Sequence, residues 1–161
     1  MDHASKGVKV KAGELCNREV VTATAEMSIQ EAARLMRDNH VGCLIVVREN
    51  GGQVEPAGIL TDRDIVIELI AKGVPVDDVS VGDVMSFAVL KVTEAETVFE
   101  TAQRMRSRGV RRVPVVSTSG ALAGVLALDD ILSLLGEELS LLAKLTQREA
   151  EQETKKRSLP G

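Results

Sequence analysis

The chain has 161 residues, a formal net charge of −4, and 20 lysines and arginines against 24 aspartates and glutamates. That length suits one ordinary domain, and the acidic balance excludes the clustered cations that nonspecific nucleic-acid binding requires. No apolar run nears the ~20 residues of a membrane span, no basic-then-apolar leader opens the chain, and two cysteines make no disulfide framework, so a soluble cytoplasmic protein is expected.

Residues 1–11 read as a tail, after which Gly13-Glu14-Leu15-Cys16 opens the patterned part of the chain. Ser28 and Glu31 form an S/T-x-x-E capping box. Ile29, Ala32, Ala33 and Met36 then fall at i, i+3, i+4 and i+7, the stripe of an amphipathic helix, which stops at a left-handed turn near Asn39-His40. Leu44 to Val47 is apolar without alternation and predicts a strand buried on both faces. A turn-rich stretch, Gly51 to Pro56, leads to a second strand, Ala57 to Leu60. This strand runs into Gly58-Ile59-Leu60-Thr61-Asp62-Arg63-Asp64 and a helix from Asp62 to about Lys72. The junction sets a hydroxyl and a carboxylate beside a helix N-terminus, where N–H groups and the dipole favour anions.

A linker over residues 74–80 follows, and then the whole pattern returns. Gly82-Asp83-Val84-Met85 matches Gly13 to Cys16. Thr97 and Glu100 repeat the capping box, and Val98, Thr101, Ala102 and Met105 repeat the stripe, ending at Arg108-Gly109. Val110 to Val116 matches Val41 to Val47, with Met105 following Met36 by 69 positions. Gly124-Val125-Leu126-Ala127-Leu128-Asp129-Asp130 matches the junction motif at an offset of 66, three residues having left the loop near Gly51, where insertions are tolerated. Pro114 inside the second copy's strand predicts an edge position. A short helix from Asp129 to about Leu135 closes the second repeat. Beyond Gly136, a separate helix with a narrow seam (Leu135, Leu139, Leu142, Leu145) turns highly charged from Gln147 to Arg157. It either packs on its own domain or faces a partner and helps a dimer form.

The two modules, over residues 12–73 and 81–136, are each too small to bury a comfortable core alone, so they are expected to share one. With Phe87 and Phe99 the only aromatics, that core must be Val, Ile, Leu, Met and Ala. The fold class is α/β (α+β): two β-α-β-β-α repeats with pseudo-two-fold symmetry, plus a C-terminal helix and charged tail over 137–161.

Two copies of glycine-apolar-apolar-Thr-x-x-Asp, each behind a capped helix and a β-branched strand, resemble a tandem pair of cystathionine-β-synthase-type (CBS) domains. Thr61-Asp62-Arg63-Asp64-Ile65-Val66 is similar to small stand-alone bacterial members. The resemblance implies repeats packed head to tail and dimerisation of two pairs into a flat disc. It also implies a cleft with two pseudo-symmetric sites for adenosine-containing ligands such as AMP, ATP or NAD. It assigns ribose hydroxyls to Asp64 and a phosphate to Thr61, with Arg63 adding charge. Asp130 takes the ribose role in the second site, where Ala127 lacks the hydroxyl. Val110, Arg111 and Arg112, like Val41, Gly42 and Cys43, align with the stretch lining base and phosphate. Consecutive strand residues face opposite ways, so one of the two arginines at most is expected at a given phosphate.

An enzyme would need a nucleophile, a base and an orienting group together. With two histidines and no nucleophile elbow or P-loop, none is expected. Cys16, His40, Cys43 and His3 lack paired Cys-x-x-Cys spacing, so no metal site is expected. The expected function is regulatory binding of an adenine nucleotide that acts on an unidentified protein partner or on the protein's own homodimer. A ligand-free dimerisation scaffold is the alternative.

Overall fold

Local capping and a buried stripe define the helices of both repeats, which the computed structural model describes over residues 10–157. Residues 1–9 of the expected tail, His3 included, and residues 158–161 lie outside the described residues. The first repeat runs α1 (Ala12–Leu15), β1 (Thr22–Ala23), α2 (Ile29–Asp38), β2 (Cys43–Asn50), β3 (Gln53–Thr61) and α3 (Asp62–Ile65), continuing into a π-helical turn at Val66–Ile70. The second runs α4 (Val81–Val84), β4 (Val92–Thr93), α5 (Val98–Arg108), β5 (Arg112–Val116) and β6 (Leu122–Ala127). A separate unit begins at Leu128 and consists of one helix, α6 (Leu128–Arg157).

Helix α2 starts where Ser28 Oγ accepts from Glu31 N–H (3.2 Å). Helix α5 starts with the reciprocal box, Thr97 Oγ1 accepting from Glu100 N–H (3.2 Å) while Glu100 Oε2 accepts from Thr97 N–H (3.0 Å). Ile29, Ala32 and Met36 on α2 are buried, as are Val98, Thr101 and Met105 on α5. The helices end at left-handed residues, His40 (φ 53) and Gly109 (φ 64).

Among the described residues each repeat has one three-stranded sheet, ordered β1-β2-β3 and β4-β5-β6, the first pair parallel and the second antiparallel. The middle strand is covered on both faces: Leu44, Ile45 and Val46 are at most 1% exposed. Pro114 therefore lies in a central strand, contrary to the edge position expected. Strand β4 pairs only with Val115 and Val116, so the sheet makes no demand on the missing N–H. At the equivalent position in the first repeat, Ile45 does donate, to Val21 O (3.3 Å).

The repeats exchange their leading turns. Ala12 and Gly13 N–H donate to Glu96 and Glu94 O (2.8 and 3.1 Å), and symmetrically Val81 and Gly82 donate to Met27 and Ala25 O (both 2.8 Å). Asn17 pairs with Val125, and Ser86 with Ile59. Val81 and Met85 of the second repeat belong to the same buried cluster as Ile29, Leu44, Val46 and Leu60 of the first. The shared core expected from module size is built by this exchange. Arg18 adds a bridge, donating to Gly13 O (2.9 Å) and to Glu94 Oε1 (2.8 Å), and the bond to Glu94 raises its pKa.

The expected break near Gly136 does not occur, because α6 is continuous from Leu128 to Arg157. A single interior glycine costs about 1 kcal/mol relative to alanine, too little to end a helix of 30 residues.

Candidate functional site

Strand β3 ends at Thr61, and α3 begins at once with Asp62. Thr61 is the N-cap: its Oγ1 accepts from Asp64 N–H (3.1 Å), and Asp64 Oδ2 accepts from both Thr61 N–H (2.9 Å) and Thr61 Oγ1 (2.7 Å). The two residues named for ligand binding are thus also a capping box. A hydroxyl has one proton to give, and here it goes to Asp64, so Thr61 can donate to a phosphate only after that proton turns away. Asp62 caps locally as well, its Oδ1 accepting from Arg63 N–H (2.7 Å).

This junction forms one wall of a hollow of about 590 Å³. The first repeat contributes Gly42, Ile59, Thr61, Asp62, Arg63 and Asp64; the second contributes Ser86, Gly109, Val110, Arg111 and Arg112. The head-to-tail exchange aims the strand–helix junction of one module at the helix–strand turn of the other. Arg111 precedes β5, so strand alternation does not separate it from Arg112, and both line the hollow. The alternation on which the one-arginine expectation rested does not apply to this pair. Arg63, Arg111 and Arg112 against Asp62 and Asp64 leave the lining one positive charge in excess.

Gly42 lies where a Cβ would stand 3.1 Å from Asp62 Oδ2, and Asp62 N–H donates to its carbonyl (3.1 Å). Val41 and Gly42 also line a shallower neighbouring hollow of about 520 Å³ with Met36, Arg37, His40 and Asp62. Cys43 lines neither hollow. Its thiol pKa is raised chiefly by burial, with Arg112 pulling it down and Asp62 pushing it up. Asp130 stands beside Asp129 in the first turn of α6, in the unit that begins at Leu128. Ala127 ends β6 as Thr61 ends β3.

Sequence reasoning missed Ile59, Asp62, Gly109 and Ser86 as lining residues. Ser86 follows Met85, the counterpart of Cys16, and only the exchange of leading turns carries it across to the first repeat's junction. Among the described residues no group of three or more His, Cys, Asp or Glu is placed to hold a metal ion, and no helix is long and apolar enough to cross a membrane.

The CBS domain family model matches the chain twice, over residues 12–71 and 81–137. The chain is 34% identical over 113 residues to the CBS domain-containing protein YhcV of Bacillus subtilis, covering 70% of this chain and 76% of that one. It is 36% identical over 125 residues to the Methanopyrus kandleri protein MK0525, covering 78% of this chain but only 62% of that longer relative. The CBS domain pair of protein MJ0100, solved in complex with 5′-methylthioadenosine and S-adenosyl-L-methionine, superposes with a TM-score of 0.71 at 25% identity, covering 81% of this chain and 99% of that one. Two matched repeats, one architecture and an exchanged core make this chain a member of the CBS domain family, a tandem CBS pair followed by a long helix.

Proposed function

We propose that the protein is a regulatory module that holds an adenine nucleotide in the hollow between Thr61–Asp64 and Val110–Arg112. The observation that carries this reading is the facing of a carboxylate at a helix start by two arginines from the other repeat. Asp64 Oδ2 is engaged in the cap, which leaves Oδ1 to accept from a ribose hydroxyl. Arg111 and Arg112 supply the charge for phosphate, since a guanidinium matches phosphate geometry, and Arg63 adds to it. The MJ0100 pair, with its methylthioadenosine and S-adenosylmethionine, supports an adenosine-containing ligand. The arginines favour a phosphorylated one such as AMP, ATP or NAD. A ligand touching both repeats changes the balance between their open and closed packings by its differential contacts. That change would reach a partner protein or the protein's own homodimer, and no catalysis is involved.

Calorimetry with AMP, ATP, NAD, methylthioadenosine and S-adenosylmethionine tests this. Asp64→Ala weakens binding by about 1.5–3 kcal/mol, the scale for losing hydrogen bonds to a charged group. Asp64→Asn retains an oxygen for the cap, so it loses affinity with the melting temperature kept. Unchanged affinity in both variants removes Asp64 from the site. If no compound binds the parent protein at millimolar concentration, the nucleotide reading falls and the dimerisation scaffold, which Ala127 favours, takes its place.

A further inference from the structure

Helix α6 exposes leucines over its first half and middle. Leu132, Leu135, Leu139, Leu141, Leu142 and Leu145 are each between 46% and 67% exposed. Of these, Leu132, Leu135, Leu139 and Leu142 alternate spacings of three and four, the period of a helix–helix seam. A run of this size on one helix is an interaction surface rather than scattered surface apolarity.

Charge distinguishes the possible occupants. Between Leu128 and Leu142 the helix carries four acids and no base, whereas Ala143 to Ala150 carries Lys144 and Arg148 against Glu149. A parallel pair of such helices sets Asp129, Asp130, Glu137 and Glu138 against their own copies. An antiparallel pair turned about Leu139 overlaps over residues 128–150, so it sets Asp130 level with the other copy's Arg148, moves Asp129 and Asp130 away from their own copies, and opposes the two helix dipoles. Turned about a point near Leu139, the leucine run from 132 to 145 also superposes on itself, so one surface supplies both sides of a two-fold contact.

We propose that α6 pairs with α6 of a second copy of this chain in antiparallel orientation, centred near Leu139. The contact joins two CBS pairs through their C-terminal helices and is independent of what fills the hollow between the repeats.

Single-cysteine cross-linking of the full chain tests it, in a Cys43→Ser background with Cys16 buried. Leu139→Cys, near the two-fold axis, forms a covalent homodimer under mild oxidation. Leu132→Cys alone does not, because its own copy lies about 21 Å away along the pair at 1.5 Å per residue, beyond the ~7 Å a disulfide spans. Mixing Leu132→Cys chains with Leu142→Cys or Leu145→Cys chains restores the cross-link several-fold. Equal self-linking of Leu132→Cys and Leu139→Cys would mean parallel helices and overturns the proposal. Failure of every variant and mixture to cross-link, with unchanged circular dichroism, means that another surface covers the leucines, and overturns it equally.

Discussion

Gly58 and Gly124 sit where each repeat's hairpin meets the other repeat's leading turn. A Cβ on Gly58 would stand 2.6 Å from Met85 Sδ and 3.1 Å from Ser86 O; one on Gly124 would stand 2.6 Å from Cys16 Sγ and 2.8 Å from Asn17 O. Methionine can move aside, but a backbone carbonyl held in a bridge cannot. Gly124→Ala is therefore expected to lower stability by about 1–3 kcal/mol, the range for overpacking a filled site, and Gly58→Ala by no more than that. Urea denaturation of both variants checks the order, and a neutral Gly124→Ala beside a damaging Gly58→Ala would refute it. These glycines were legible as motif positions, but their reason was not. Sequence showed a glycine before two apolar residues and a helix start, whereas the sulfur it accommodates is 27 residues away for Gly58 and 108 for Gly124, in the other repeat. Thr61 and Asp64 were likewise legible as a pair at a helix start, and the cap between them is local. Arg111 and Arg112 across the hollow depend on how the repeats meet.

At the scale of elements, four-residue caps set the helix starts. Asp83 Oδ2 accepts from Ser80 Oγ (2.7 Å) and Ser80 N–H (2.9 Å), and Glu100 Oε2 accepts from Thr97 N–H (3.0 Å) and Thr97 Oγ1 (2.8 Å). These bonds favour the ionised forms and hold both carboxyls below their ordinary pKa. A depressed folded-state pKa contributes stability that is complete above the unfolded value, near 4, and is lost as pH falls through the folded one. The parent protein should therefore lose stability as the pH falls from about 5 to about 3. The double variant Asp83→Asn, Glu100→Gln, which cannot titrate there, should lose less. Urea midpoints at the two pH values measure this, and parallel losses in parent and variant would show that the caps contribute no pH dependence. The Thr97 box, the buried stripes apart from Ala33, which is exposed, and the left-handed stops at His40 and Gly109 were readable because each is decided within a few residues. The central place of Pro114 was not, because it depends on β4 reaching only as far as Val115 and Val116. The continuity of α6 was not either, because one glycine's propensity cost is small beside the helix around it.

The two repeats up to Ala127 are one body in energetic terms, since neither contains a complete core. Val81 and Met85 fill the cluster under the first sheet, and Ala12 and Cys16 are the buried counterparts supplied to the second. Loss of either repeat leaves the other's Gly58 or Gly124 facing water. Backbone bonds run both ways across the contact, Ser86 with Ile59 (2.9 and 3.1 Å) and Asn17 with Val125 (both 2.9 Å). Such mutual completion predicts cooperativity across the pair rather than two foldons of different stability. Hydrogen exchange in increasing urea tests it: amides of Leu44, Ile45 and Val46 in β2 and of Val113, Val115 and Val116 in β5 should converge on one opening free energy with one denaturant dependence. A nucleotide present at 100 times its dissociation constant should raise both sets together by about 2.7 kcal/mol, because the contacts proposed for it are divided between Asp64 on one repeat and Arg111 and Arg112 on the other. Release of the β5 amides at lower urea while β2 stays protected would show that the repeats fold separately. In that case the hollow would lie between two independent bodies, and a ligand there would stabilise one repeat without the other.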